Sequence, residues 1–253
     1  MLQADKCGLN GLVSNYSNKR RCPTLIFAVE IMPKTSNSAA GAASYLIAEL
    51  DTMIELLNCD CMEYMATVPD KYFDLAIVDP PYRDDNQPTK EMRKNGSMKT
   101  LEGRPTPEYW KELRRVSKEQ IIWGANNFEL PQFKGFVVWD KGIPHEFTMS
   151  MAEIAAITDG LGTVSKIWKM RASGADVVRI HPTQKPVKLY EWLLTNYAKK
   201  GQRILDTHLG SGSSAIAAHY FGVDFVGCEL DKDYFEAAKA RFDMATKQLA
   251  MSI

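Results

Sequence analysis

The sequence has no C-x-x-C pair, and its five cysteines, Cys7, Cys22, Cys59, Cys61 and Cys228, are odd in number and mostly far apart. That excludes the usual spacing of zinc sites and dithiol redox pairs, so reduced thiols and no metal centre are expected. Long apolar runs are also missing: none approaches the roughly 18 residues of a membrane helix, and no membrane partner is expected. The first thirty residues interleave Asp5, Lys6, Lys19, Arg20 and Arg21 with short apolar pieces, unlike a secretory leader, which points to a cytoplasmic protein. Neither sign of charge prevails, with 31 Lys and Arg against 31 Asp and Glu. A nucleic-acid surface, if present, must therefore be a local concentration of basic side chains. No internal repeat is found, which excludes solenoid architectures.

What is there suits one α/β catalytic domain: 253 residues, 45% hydrophobic and 25% charged. Residues 1–50 show little periodicity, and 33–44 are rich in Ser, Ala, Gly and Asn, so a poorly ordered N-terminal extension is expected ahead of a domain spanning 51–253. Beyond it, short apolar runs alternate with amphipathic segments, the pattern of a mainly parallel sheet with helices on both faces. Strands are predicted at 53–57, 73–78, 120–123, 136–139, 153–158, 202–206 and 225–229. Helices are predicted from 62, over 189–198, over 213–220 with Gly222 as the stop, and over 234–242. The aromatic strand ends Trp123 and Trp139 read as core.

Three groups of residues carry chemistry. Asp79-Pro80-Pro81-Tyr82 follows a nearly continuous apolar strand, the place where open α/β sheets bind ligands. Two prolines fix an extended path and remove two N–H donors, leaving carbonyl acceptors beside a carboxylate and a ring. Such acceptors suit an exocyclic base amino group, whose lone pair is delocalised until its protons are held, while Tyr82 offers a stacking face for a flipped base. The second group is Asp206-Thr207-His208-Leu209-Gly210-Ser211-Gly212-Ser213, with Glu229 ending the next strand. Glycines permit close approach of backbone to ligand, and an acid one strand later suits a ribose diol, which implies a nucleoside-type cofactor. A dinucleotide fold shares that signature, but usually opens with this unit instead of closing with it. His181-Pro182-Thr183-Gln184-Lys185-Pro186 is the third group, where Lys185 suits a carboxylate.

In this order the three motifs resemble the β-group amino-methyltransferases of DNA, over roughly 52–242. The resemblance implies a Rossmann-like, seven-stranded sheet of the class I methyltransferase type, S-adenosylmethionine as cofactor and double-stranded DNA as partner, with homodimers common among relatives. It also implies that Asp79, Pro80, Pro81 and Tyr82 are catalytic, and that Asp60, Cys61, Asp79, Lys185, Asp206, His208, Gly210, Gly212, Ser213 and Glu229 hold the cofactor. Asp60 and Cys61 enter through the N-C-D-C turn, which is similar to the family's G-D-C. His208 stands where the family often has an aromatic residue. Aspartate at position 79 favours N6-adenine over N4-cytosine by the same analogy; an RNA or protein amide acceptor is the further alternative. DNA recognition is expected in the loop 83–107, with its six Lys and Arg, and in 159–180, where Lys166, Lys169, Arg171 and Arg179 would contact phosphates. Enzymes of this size and type suit a bacterial or phage methylase, alone or paired with a restriction nuclease.

Overall fold

The computed structural model describes residues 52–82, 103–148, 150–171 and 179–247. The expected N-terminal extension, most of the loop 83–107, residues 172–178, and Cys7 and Cys22 lie outside the described residues.

Eight strands pair into one sheet: β1 (Ile54–Asn58), β2 (Phe73–Val78), β3 (Ser117–Trp123), β4 (Gly135–Asp140), β5 (Ala152–Ile157), β6 (Lys166–Lys169), β7 (Arg203–Asp206) and β8 (Asp224–Glu229). Their order is β1-β8-β7-β2-β3-β5-β4-β6. Every pairing is parallel except those of β5, which runs against β3 and β4. The eighth strand is β6, an addition to the expected seven and lying within the segment expected to read DNA. Two of its four residues are exposed, and Ile167 is 72% accessible, so its pattern carries too little apolar signal to be read as a strand. It forms because Val137 to Asp140 offer Lys166 to Lys169 a free edge.

Among the described residues, five helices cover the sheet: α1 (Cys61–Ala66), α2 (Pro107–Val116), α3 (Val187–Tyr197), α4 (Ser213–Phe221) and α5 (Lys232–Lys247). Side chains alternate across each strand, so Leu75 and Ile77 join one core with Leu189, Leu193 and Ala217, under α3, α4 and α5. Ala76 and Val78 join the other, with Met65, Tyr109, Trp110 and Leu113 from α1 and α2. Trp123 and Trp139 are buried in the first core, as expected from sequence. Helix α2 went unpredicted. Thr106 caps it, Pro107 opens it, and Tyr109, Trp110, Leu113 and Val116 form its buried face. Gly222 ends α4 with a left-handed backbone, φ 84°, as predicted.

Candidate active site

The chain leaves β2 toward β3 on one side and β7 toward β8 on the other, so the sheet order reverses between β2 and β7. Ligands bind outside the carboxyl ends of strands at such a reversal. There the described residues enclose a cavity of about 680 Å³, a size typical of cofactor sites. Asp60 and Cys61 after β1, Asp79 to Tyr82 after β2, Lys185 ahead of α3, His208 and Gly210 after β7, and Glu229 at the end of β8 all line it.

Not every expected cofactor residue reaches the cavity wall. Asp206, Gly212 and Ser213 stand one layer behind it. Asp206 accepts from Ser214 Oγ at 2.6 Å and from the His208 amide at 3.0 Å, and so shapes the turn from beneath. Burial pushes its carboxyl up to about 7. Gly212 adopts φ 73°, and a Cβ there would lie 3.3 Å from the Ala238 carbonyl oxygen on α5. Ser213 Oγ accepts from Arg241, which also holds the Ser211 carbonyl at 2.8 Å.

At the wall, Glu229 accepts from the Gly210 amide at 2.9 Å through Oε2 and from the Asp231 amide at 3.0 Å through Oε1. The acid thus ties β8 to the glycine turn while its remaining lone pairs stay available to a diol. Asp60 Oδ1 caps α1 by accepting from the Met62 amide at 2.7 Å. Burial pushes the Cys61 thiol up to about 12, which keeps it protonated and unreactive. His208 Nδ1 lies 2.9 Å from Thr207 Oγ1, which in turn lies 2.6 Å from the buried Tyr109 hydroxyl. Burial lowers the His208 imidazole to about 4, so the ring is neutral at physiological pH.

The opposite end of the cavity is built on charge. Asp79 accepts from the Tyr82 hydroxyl at 2.8 Å and from Lys185 Nζ at 2.5 Å, one bond to each carboxylate oxygen. Lys185 is almost wholly buried, over the face of Trp123 at 5.3 Å, and its ammonium also lies 2.9 Å from Glu153 Oε2. Burial raises the Asp79 carboxyl above its ordinary value, with Lys185 opposing the rise and Glu153 adding to it. For Lys185, burial works against the ammonium, but Asp79 and Glu153 outweigh it and hold the group well above its usual value. The Tyr82 ring lies directly on Gly124, where a Cβ would collide with it, and packs edge-on to Phe128 at 6.1 Å.

Sequence reasoning missed several of these residues. Glu153 carried a signal, an acid opening the otherwise apolar run of β5, but it was read only as strand. Tyr109 lies on the unpredicted helix. His181, buried at the wall and 4.5 Å from the Tyr234 ring, was visible only as part of its motif. Among the described residues, no cluster of His, Cys, Asp and Glu could hold a metal ion, and no helix is long and apolar enough to cross a membrane.

Known proteins are similar to this chain in sequence and in fold. The family model described as DNA methylase, for N6 and N4 enzymes, matches residues 159–240. YubD of Escherichia coli (strain K12), a methylase by designation only, is 27% identical over 231 residues, covering 79% of this chain and 93% of that protein. The type II methyltransferase M.HinfI of Haemophilus influenzae is 24% identical over 247 residues, covering 76% of this chain and 68% of the relative. The crystal structure of the M1.HpyAVI-SAM complex superposes with a TM-score of 0.51 at 20% identity, over 75% of this chain and all of that one, which shows a shared fold. In its three motifs, their meeting around one cavity and these matches, the chain is similar to the DNA methyltransferases of the N6-adenine and N4-cytosine family.

Proposed function

We propose that the chain is a DNA adenine N6-methyltransferase that draws its methyl group from S-adenosylmethionine and acts on an adenine flipped out of the duplex. The observation that carries this reading is the Asp79 carboxylate, bound at one oxygen by Tyr82 and at the other by Lys185, beside the prolines at the cavity wall. Aspartate in this place favours adenine over cytosine by the family analogy.

The cavity's chemistry fits the cofactor. The carboxylates of Asp60 and Glu229 at one end suit an adenosine's polar edges, and the turn through Gly210 admits the chain between nucleoside and sulfonium. When bound, S-adenosylmethionine supplies an electrophilic methyl group. The residues of this chain then do the rest. Asp79 and the Pro80 carbonyl accept the two amino protons of the base, which localises the nitrogen lone pair toward the methyl group. Tyr82 stacks on the extruded base and offsets the stacking lost from the duplex, at about 1–3 kcal/mol. As the bond from nitrogen to the methyl carbon would form, that carbon's bond to sulfur would break with its electron pair left on sulfur, and Asp79 would take the proton from the positively charged nitrogen. Lys185 is already bound to two carboxylates, so its part lies with Asp79 and not with the cofactor's own carboxylate. Lys166, Lys169 and Arg171 on and beside the edge strand β6 supply phosphate contacts.

The test is transfer of a radiolabelled methyl group from S-adenosylmethionine to unmethylated bacterial DNA, with RNA and protein as parallel acceptors and nucleoside analysis of the product. Label in N6-methyladenine of DNA is the expected result. N4-methylcytosine would correct the base, and label in RNA or protein alone would discard the DNA assignment.

A further inference from the structure

We propose that Glu153, backed by Lys141, is a positioning residue that holds Lys185 against Asp79 and balances its charge. The proposal rests on the functional reading above and deepens it, because it says why a buried lysine beside the catalytic carboxylate does not disable it.

Four charged groups form a chain of contacts. Lys141 Nζ lies 2.5 Å from Glu153 Oε1; Glu153 Oε2 lies 2.9 Å from Lys185 Nζ; Lys185 Nζ lies 2.5 Å from Asp79 Oδ2. The signs alternate and the sum is zero. The contact at Oε2 is close enough for an ion pair but lacks hydrogen-bond alignment, and that oxygen is buried with no other donor. Glu153 therefore acts on Lys185 through its charge. A buried cation paired with Asp79 alone would draw electron density from the carboxylate and make it a poorer acceptor. A second carboxylate on the same ammonium divides that pull, so Asp79 keeps its affinity for the amino protons. Burial works to raise the Glu153 carboxyl, but Lys185 and then Lys141 outweigh it and hold the group down at about 2, so it stays ionised throughout the working range.

The groups facing Asp79 come from every neighbouring element: Tyr82 on its own loop, Lys185 and Tyr190 at the start of α3, Glu153 on β5 and Asp206 at the end of β7. Glu153 is the acid among them that shares the lysine.

The experiment compares kcat against pH for the full chain, for Glu153→Gln and for Lys141→Met. Asp79 must be ionised to accept a proton, so activity declines on the acid side as it protonates. Removing the negative charge of Glu153 should move that decline about one unit toward lower pH. The same change should cut kcat on the plateau about tenfold, with KM for DNA and cofactor affinity changed less than about twofold. Removing the positive charge of Lys141 should move the decline the opposite way. Shifts of opposite sign cannot come from a merely structural role. Declines that stay in place, or shift the same way in both variants, would overturn the proposal. If Glu153→Gln does not fold, Lys141→Met carries the test through its sign. If the unsubstituted protein transfers no methyl group to any acceptor, the functional reading fails; the ¹³C carboxyl titration of Asp79, assigned by its loss in Asp79→Asn, reads the same displacements without turnover and still decides the matter.

Discussion

Asp79 and Lys185, 106 positions apart in the chain, meet at 2.5 Å because one directly follows β2 and the other precedes the helix that packs over the same sheet. Their pairing leaves Asp79 anchored yet still able to accept, since each carboxylate oxygen has a second lone pair.

Asp79→Asn keeps the shape of the site and removes the acceptor charge. Methyl transfer should fall by roughly 10² to 10⁴. Cofactor affinity, measured by calorimetry, should hold, because Asp60 and Glu229 at the far end of the cavity are untouched. Full activity in this variant would sink the catalytic assignment.

Gly124→Ala places a methyl group where the Tyr82 ring now lies, and does so at φ 65°, a backbone region that L side chains disfavour. Tyr82 must move away from Asp79. The expected outcome is a loss of about tenfold or more in kcat, with weaker fluorescence enhancement from 2-aminopurine at the target position and unchanged cofactor binding. Equal enhancement in both proteins would show that Tyr82 is not the stacking platform.

Asp206 gives a pH test of stability. Burial lifts its folded-state value to about 7 from 3.8, so between these limits the folded protein holds a proton that the unfolded chain has released. Its contribution to stability therefore declines as pH rises through that window and is level above it. Asp206→Asn removes the titration, so the stability of the variant relative to the unsubstituted protein should rise between pH 5 and pH 7, read from urea midpoints. A difference independent of pH would mean that the carboxyl is already ionised in the folded state.

Gly212→Asp should weaken cofactor binding, but through the second layer. With φ 73° and a Cβ 3.3 Å from the Ala238 carbonyl oxygen, the new side chain would push α4 from α5 and carry the glycine turn with it. Thermal melting and cofactor affinity should fall together. A stable protein with unchanged affinity would show that the turn does not shape the cofactor end.

Much of this was readable in advance. Seven of the eight strands follow from apolar runs, because a strand covered on both faces, such as β2, leaves an almost unbroken hydrophobic signature. The turn residues of all three motifs were visible, since proline and glycine mark backbone constraints directly. Helix α2 escaped because it starts at Pro107, where a polar loop was taken to end, although Tyr109, Trp110, Leu113 and Val116 have helical spacing. The place of Lys185 escaped for a different reason. Its partners Asp79 and Glu153 are distant in sequence, and only the sheet order brings them to one ammonium. Likewise Asp206, Gly212 and Ser213 belong to the motif, but a motif does not say which of its members face the ligand and which hold up those that do.

The reversed direction of β5 has an evolutionary reach. A strand that runs with its neighbours delivers its last residue to the ligand edge, whereas β5 delivers its opening residues, Ala152 and Glu153, beside the ends of β3 and β4. The two ends of the stretch that feeds β5, Lys141 and Met151, are joined there by a hydrogen bond from the Lys141 amide to the Met151 carbonyl at 2.9 Å. A change in the length of that stretch would leave the buried residues of β4 and β5 in place, because loops tolerate insertion where paired strands do not.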